Sequence, residues 1–479
     1  MRWQLRSSGV FVVTGLCVAL GMVTPDVWAQ AMPPATAASS PPASSPPNTP
    51  EPDYLLPVPE ILGFQILLNR TNRYFGTGRD DYRVTLDSIR TNLHSGWGTD
   101  DDPFEVNQLG HPVQGAMYLG FARSAGLDYW HSAGYAFAGS VVWEIAGERT
   151  LPSRNDQVAS GIGGTFLGEA LFRMSNLVLE QGGGLPHFWR EVAATAIDPS
   201  AGFNRLVFAD RSSIFSSHDA AYFSRLELGY VHSVKQELGN STADVKRNEA
   251  QVNFSIDYGL PGKRGYEYTR PFDYFNFAIT ASSANGIENV LTRGLLVGKS
   301  YEAGADYRGV WGIYGSYDYI APQTFRISSS AVSIGSTGQW QLSDSLSVQG
   351  TAMTGLGYAA VGTTRGLIGD RDYNYGVAPQ ALIALRITDS DKASLSLTGR
   401  EYFVSSVASG TSGGHDNILR GDAAFTYRIA KQQAVTIKLT GNRRDARFVN
   451  PGAQRQTEAT VGIFYTLLGQ DRFGTVDWR

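Results

Sequence analysis

Gln251–Tyr258, QVNFSIDY, is the stretch whose reading decides the fold: Val252, Phe254, Ile256 and Tyr258 alternate strictly with Gln251, Asn253, Ser255 and Asp257. Successive side chains of a strand point to opposite faces, so a period of two gives one apolar and one polar face. The same alternation recurs on both sides of this stretch. Tyr222, Leu226, Leu228 and Tyr230 alternate with Arg225 and Glu227, and Trp311, Ile313, Tyr317 and Tyr319 with Tyr314, Ser316 and Asp318. Val435, Ile437 and Leu439 alternate with Thr436, Lys438 and Thr440, and Val461, Ile463, Tyr465 and Leu467 close the series. The strands read as about 10–15 residues long, where soluble strands average about 5–6. Tight turns at Ser343-Asp344, Asp389–Asp391 and Lys431–Gln433 alternate with longer loops at Ala359–Tyr373, Ser405–His415 and Asp445–Gln456. Short turns on one side and long loops on the other are the pattern of an outer-membrane barrel, here of about 12 strands (10–14) over residues 220–468. An even count returns both barrel ends to the periplasmic side.

Composition agrees with that reading. The chain of 479 residues has 54 glycines, 11% aromatic and only 18% charged residues, and a formal net charge of −4. Gly-rich turns, aromatic girdles and alternating strands produce this mixture, and the charge offers no footprint for nucleic acid. Residues 1–31 read as a signal peptide: Arg2 and Arg6 precede an apolar core at Gly9–Val23, and Ala29-Gln30-Ala31 offers the small residues of a cleavage site. The only cysteine, Cys17, falls inside that core, so the mature chain is expected to have no thiol or disulfide. Residues 32–56 form a linker rich in Pro, Ala and Ser. The barrel-assembly machinery is the expected partner during insertion and outer-membrane lipids the expected surroundings. The tail 469–479 leaves open whether Phe464, Tyr465 or Trp478 serves as the terminal aromatic.

From 57 to 200 the period is helical, giving an α+β chain: a small α-helical bundle, then the antiparallel transmembrane barrel. Helices are expected over Val58–Tyr74, Gln108–Ala125, Trp130–Glu148, Arg154–Glu180 and about 186–196. Ser160, Gly164, Gly168, Leu171 and Ser175 share a face that begins with very small side chains, which lets helices approach closely.

Polar and special residues concentrate in this part. Asn107, His111, Pro112, Gly115 and Tyr118 are followed by Trp143, Glu144, Glu148, Ser153 and Asp156 before a Gly-rich helix. Over roughly eighty residues this pattern resembles a bacterial family known as domain of unknown function 3943, predicted outer-membrane proteins. The resemblance implies the architecture and no activity.

The residues themselves allow a sharper reading. His111, Gly115, Tyr118 and Ala122 fall on one helix face, as do Ser140, Glu144 and Glu148. Two carboxylates four residues apart repel unless something neutralises them. Set opposite His111, with Asp156, they are candidates for acid/base work or for a divalent metal; no cofactor is established. Plainer roles compete: His111-Pro112 suits a helix start, Ser153-x-x-Asp156 a capping arrangement, and the glutamates a network with Arg123, Arg149 or Arg154. No P-loop or nucleophile elbow is present.

Three functions follow as expectations. One is an outer-membrane scaffold or channel whose helical domain plugs or braces the periplasmic side or enters the barrel, with Arg225, Glu227, Arg400 and Lys438 lining a narrow lumen. Another is an envelope enzyme acting on lipid or peptidoglycan through His111, Glu144, Glu148 and Asp156. The third is a soluble β-protein, which the strand lengths disfavour.

Overall fold

The computed structural model describes residues 51–76, 78–100, 102–181, 184–208, 215–217, 219–238, 247–363, 373–406, 413–448, 453–469 and 473–476. The expected signal peptide, most of the linker and Trp478 lie outside them.

Twelve strands form one closed antiparallel barrel, each paired with its sequence neighbours and the first with the last. They are β1 Tyr222–Leu238, β2 Asn248–Tyr258, β3 Phe275–Ser282, β4 Gly286–Glu302, β5 Tyr307–Ile320 and β6 Phe325–Gln341, then β7 Leu346–Thr363, β8 Tyr373–Asp389, β9 Ala393–Ser406, β10 Gly414–Ala430, β11 Gln433–Phe448 and β12 Ala453–Leu468. The tight turns fall where the alternation breaks. The three longer loops are shorter than expected, because Ala359–Val361 and the flanks of the other two continue the ladders. Outward positions carry exposed apolar side chains, among them Trp311, Ile313, Val332, Ile334, Ile437 and Ile463. Inward positions carry buried polar ones, such as Asn253, Arg293, Gln349, Arg420 and Thr436. A closed barrel with an apolar outer belt satisfies every strand internally and suits a lipid surround. Among the described residues no helix is long and apolar enough to cross a membrane.

The helical part comprises α1 Pro57–Phe75, α2 Leu86–His94, α3 His111–Ser124, α4 Tyr129–Ala146, α5 Arg154–Val158, α6 Gly164–Gln181, α7 His187–Ile197 and α8 Pro199–Val207. Sequence periodicity missed α2 and α8, both short, although each has a legible cap. Thr85 and Ser88 form a capping box, and Asp198 accepts from the Ala201 amide before Pro199 starts α8. The expected helix starts and continuities also differ at two places. Val106–Gly110 and Ala159–Gly163 are π-helical, leading into α3 and α6. In the first, Pro112 has no N–H to give and its ring crowds the carbonyl four residues back; a widened turn relieves both.

The expected close approach is present. A Cβ on Gly115 would lie 1.9 Å from the Ser160 carbonyl oxygen, and one on Gly164 2.7 Å from the Gly115 Cα. The α3 and α6 backbones therefore touch.

The helical domain is expected from sequence to plug or brace the periplasmic side or to enter the barrel; the contacts it makes are with outward-facing wall residues. Tyr317 and Tyr319 have the same strand parity as the exposed Trp311 and Ile313, so they point outward, yet both are buried. Tyr317 donates to the Gln108 carbonyl, Phe104 packs on Tyr319 at 5.7 Å between ring centroids, and Phe166 fills the space over Gly315. Leu167, Ala170 and Leu171 of α6 share one apolar cluster with the outward Phe254, Ile256, Phe277 and Ile279. The helices thus lie against the outer wall. The physical reason is the inverted polarity of a barrel: apolar helix faces find apolar partners outside, whereas the lumen is lined with charges they would desolvate. The inner end that holds the tight turns is filled by other segments. Phe473 packs with Phe223, Leu260, Ala434 and Leu468, and Gln349 donates to the Gly474 carbonyl at 2.7 Å.

Gly115→Ala is expected to destabilise the helical domain by about 2 kcal/mol or more, because backbone on the far side cannot yield. Gly134→Ala, which meets nothing within 4 Å, is expected to be neutral or to stabilise by up to about 1 kcal/mol. Thermal loss of the helical circular-dichroism signal in detergent measures both, and equal melting of the two variants would contradict the packing described.

Candidate functional site

The two π-helical turns flank the sequence-derived candidates and bring them together. His111 opens α3 directly after the first bulge, with its amide bonded five residues back to Val106. Asp156 lies on α5, whose N-cap is Ser153: the Ser153 hydroxyl accepts from the Asp156 amide at 3.2 Å and donates to its carboxylate. The capping role expected of this pair is therefore real, and it also fixes the carboxylate. The His111 ring bridges the two sides, with Nδ1 3.1 Å from Ser160 Oγ and Nε2 3.8 Å from Asp156 Oδ1.

The glutamates arrive differently from expectation. Glu144 is on α4, but that helix ends at Ala146, and Glu148 lies beyond it. Gly147 ends the helix against the Trp143 ring, and Trp143 Nε1 then donates to Glu148 Oε1 at 2.5 Å. Glu144 accepts from the Ser153 amide at 2.8 Å, while its Oε1 is buried without a hydrogen-bond partner. The expected pairing with arginines is not made: Arg123 pairs with Glu169 at 2.7 Å, and Arg173 joins Glu169 to Asp273.

Burial without a cation dominates the electrostatics. Burial, with Asp156 and Glu148 nearby, pushes the Glu144 carboxyl up to about 10. Burial raises Glu148 to about 7, opposed by the neighbouring His111. Asp156 is raised by burial and by Asp100 and Asp102. The cluster can therefore keep carboxylic acids protonated near neutral pH, where they donate hydrogen bonds. Among the described residues no three His, Cys, Asp or Glu side chains are arranged to hold a metal ion.

Sequence reasoning missed several members. Asp100 accepts from Asn107, and Asn155 accepts from the Asp100 amide at 2.9 Å. The acidic run around 100–102 was a readable signal for the first of these. Outward tyrosines of the barrel complete the cluster: Asn155 and Gln108 both donate to Tyr375 Oη at 2.9 Å, and Asn107 donates to Tyr373 Oη at 3.0 Å. Nothing local in the sequence marks residues more than two hundred positions away. The cluster is thus a sealed polar seam between bundle and wall.

A second polar region is the lumen. A cavity of about 220 Å3 is lined by Arg225, Glu227, Asp257, Arg386, Arg400 and Lys438, with further polar residues. The four lumen charges named from sequence are all there. Within it Arg386 pairs with Asp257 at 2.5 Å and Arg420 with Asp422 at 3.0 Å. Nearer the other end the lining turns acidic, with Glu249, Glu288 and Glu458.

Residues 96–200 match the model of a family described as a domain of unknown function (DUF3943). No curated protein matches the chain. Among solved structures, the KdgM porin in complex with disordered oligogalacturonate is 10% identical, with a TM-score of 0.23 over 50% of this chain and 98% of that one. The NanC porin is 6% identical (TM-score 0.27, 50% and 98%), and the outer membrane channel DcaP of Acinetobacter baumannii 9% (0.23, 52% and 97%). These likenesses carry no inference about cargo or activity.

The raised carboxyls give stability a definite pH dependence. The folded domain holds protons that the unfolded chain releases above about 4.5. Stability from this source is therefore greatest below that pH and falls as pH rises, through about 7 for Glu148 and toward about 10 for Glu144. Glu144→Gln is expected to stabilise the helical domain by roughly 2 kcal/mol at pH 8 and to change nothing at pH 4. Melting curves of both proteins across that range test it, and a difference independent of pH would refute it.

Proposed function

We propose that the chain is an outer-membrane β-barrel that serves as a scaffold, closed in its resting form, for a helical domain braced on its outer wall. The observation that carries this reading is the filling of the turn-side mouth: Phe473 and Val476 enter the lumen, the first under the Arg428 guanidinium at 5.0 Å and the second beside Gln339. Leu260 and Gly262 of the β2–β3 connection close the same mouth, with Arg308 donating to the Gly262 carbonyl at 3.1 Å. Twelve strands leave a narrow interior that side chains largely fill. What remains is a charged vestibule rather than a bore. The family resemblance and the long strands support the outer membrane as its location, with lipids around the belt.

A second reading is an envelope enzyme acting on lipid or peptidoglycan. What favours it is the buried Glu148 carboxyl near His111, which burial pushes up to about 7. Against it stands the burial of His111, Glu144 and Asp156, each at most 5% exposed. A change in outer-membrane lipid or peptidoglycan composition on overproduction that Glu144→Gln abolishes, with the barrel still folded, would bring this reading forward.

For the scaffold, planar bilayers are the direct test. The full chain is expected to give little or no single-channel current, and deletion of residues 470–479 to raise conductance several-fold. A wide, steady pore in the full chain would overturn the closed reading.

A further inference from the structure

The helices that face away from the barrel present an extensive apolar surface. On α1, Leu62, Ile66 and Leu67 are exposed, Ile66 by 63% and Leu67 by 64%. On α4 the exposed residues are Trp130, His131, Gly134, Phe137, Ala138 and Val142, none of them an Asp, Glu, Lys or Arg. Phe188 and Trp189 extend the surface on α7, and Phe203 and Leu206 on α8. These helices are neighbours. Gln65 of α1 donates to the Gly139 carbonyl of α4 at 2.7 Å, Asn204 of α8 reaches Glu60 of α1, and Arg205 of α8 pairs with Glu191 of α7 at 3.0 Å. A water-facing bundle reverses this pattern, with charged residues on its outer faces, and soluble monomers rarely expose large contiguous apolar patches.

This surface continues into the barrel's belt. On β5 the outward positions Tyr317 and Gly315 lie under the helices, and the next two, Ile313 and Trp311, are exposed. On β6, Ser330 meets Gly163, and the next two outward positions, Val332 and Ile334, are exposed. On β8, Tyr375 is covered and Val377 exposed. On β2 and β3 the bundle covers Phe254, Ile256, Phe277 and Ile279, which occupy belt positions themselves. The bundle therefore sits at the level of the belt, not beneath it.

We propose that the helical domain is seated in the bilayer beside the barrel, its outer helices in contact with lipid acyl chains. This rests on the reading of the barrel as membrane-spanning. Among the described residues no helix is long and apolar enough to cross, so the domain is a lateral, partly inserted annex whose apolar stripes lie in lipid as those of interfacial helices do. The polar seam around His111, Glu144 and Asp156 is then shut off from water by lipid-facing helices on one side and the barrel wall on the other.

The test is depth measurement by spin labels on the full chain. In a background with Cys17, the only cysteine, replaced by Ser, single labels go on Ile66→Cys, Phe137→Cys and Phe203→Cys. Ile463→Cys marks the barrel belt and Asp391→Cys a water-facing turn. Proteins are refolded into vesicles of phosphatidylethanolamine and phosphatidylglycerol, and heat-shifted gel migration selects folded samples. The expected result is an oxygen-to-nickel accessibility ratio for the three helical labels close to that of Ile463 and at least fivefold above that of Asp391. Helical labels that read as Asp391 does, with Ile463 in lipid, overturn the inference alone. Helical labels shielded from both reagents also overturn it, by showing a face covered by protein. A water-like reading at Ile463 brings down the barrel reading, and this inference with it.

Discussion

In an apolar slab each backbone N–H and C=O must find its partner inside the protein, because lipid offers none. A sheet meets that demand only by closing on itself, and here β1 pairs with β12 from Arg225 opposite Leu468 to Leu238 opposite Gln456. Closure sets the polarity of everything else. Apolar side chains must point outward, polar ones inward, and the interior charges must compensate each other, as Arg386 with Asp257 and Arg420 with Asp422 do. The usual arrangement of a soluble core is turned inside out.

That inversion explains where the helices lie. An apolar helix face has no favourable contact in a charged lumen, but the outer wall of β2 to β5 offers Phe254, Phe277 and Ile279 at matching positions. Small residues complete the fit: Gly315 admits the Phe166 ring, and Gly115 and Gly164 let α3 and α6 touch. The polar contacts across the seam include two ion pairs, Arg326 with Glu105 and Arg173 with Asp273, and several hydrogen bonds to tyrosine hydroxyls. An outward tyrosine suits both neighbours, with its ring in the apolar wall and its hydroxyl reaching Gln108, Asn107 or Asn155.

Legibility in the sequence followed the range of the interactions. Alternation in QVNFSIDY and its counterparts needs only neighbouring residues, so strand identity, turn sites and the count of about twelve could be read directly. The small-residue face at Ser160, Gly164 and Gly168 was readable for the same reason. The candidate cluster was legible in part. His111, Glu144, Glu148 and Asp156 do meet, but Glu148 reaches the group past the end of α4 rather than on its face. Asn155 could be noticed only once α5 was separated from α6 by a bulge.

The sequence by itself determined the two-part architecture, the barrel, the lumen charges Arg225, Glu227, Arg400 and Lys438, and four residues of the buried cluster, His111, Glu144, Glu148 and Asp156. Each of these is written in a local period or in residue type. Only the tertiary structure decided that the helices lie on the outer wall, that Tyr317, Tyr373 and Tyr375 close the cluster, and that Phe473 fills the mouth. These contacts join segments up to about 270 residues apart. Period and composition state which face of a strand or helix is apolar, but not which other surface will cover it. That choice is made by shape and by the relative cost of every competing burial, quantities that exist only once the chain has closed.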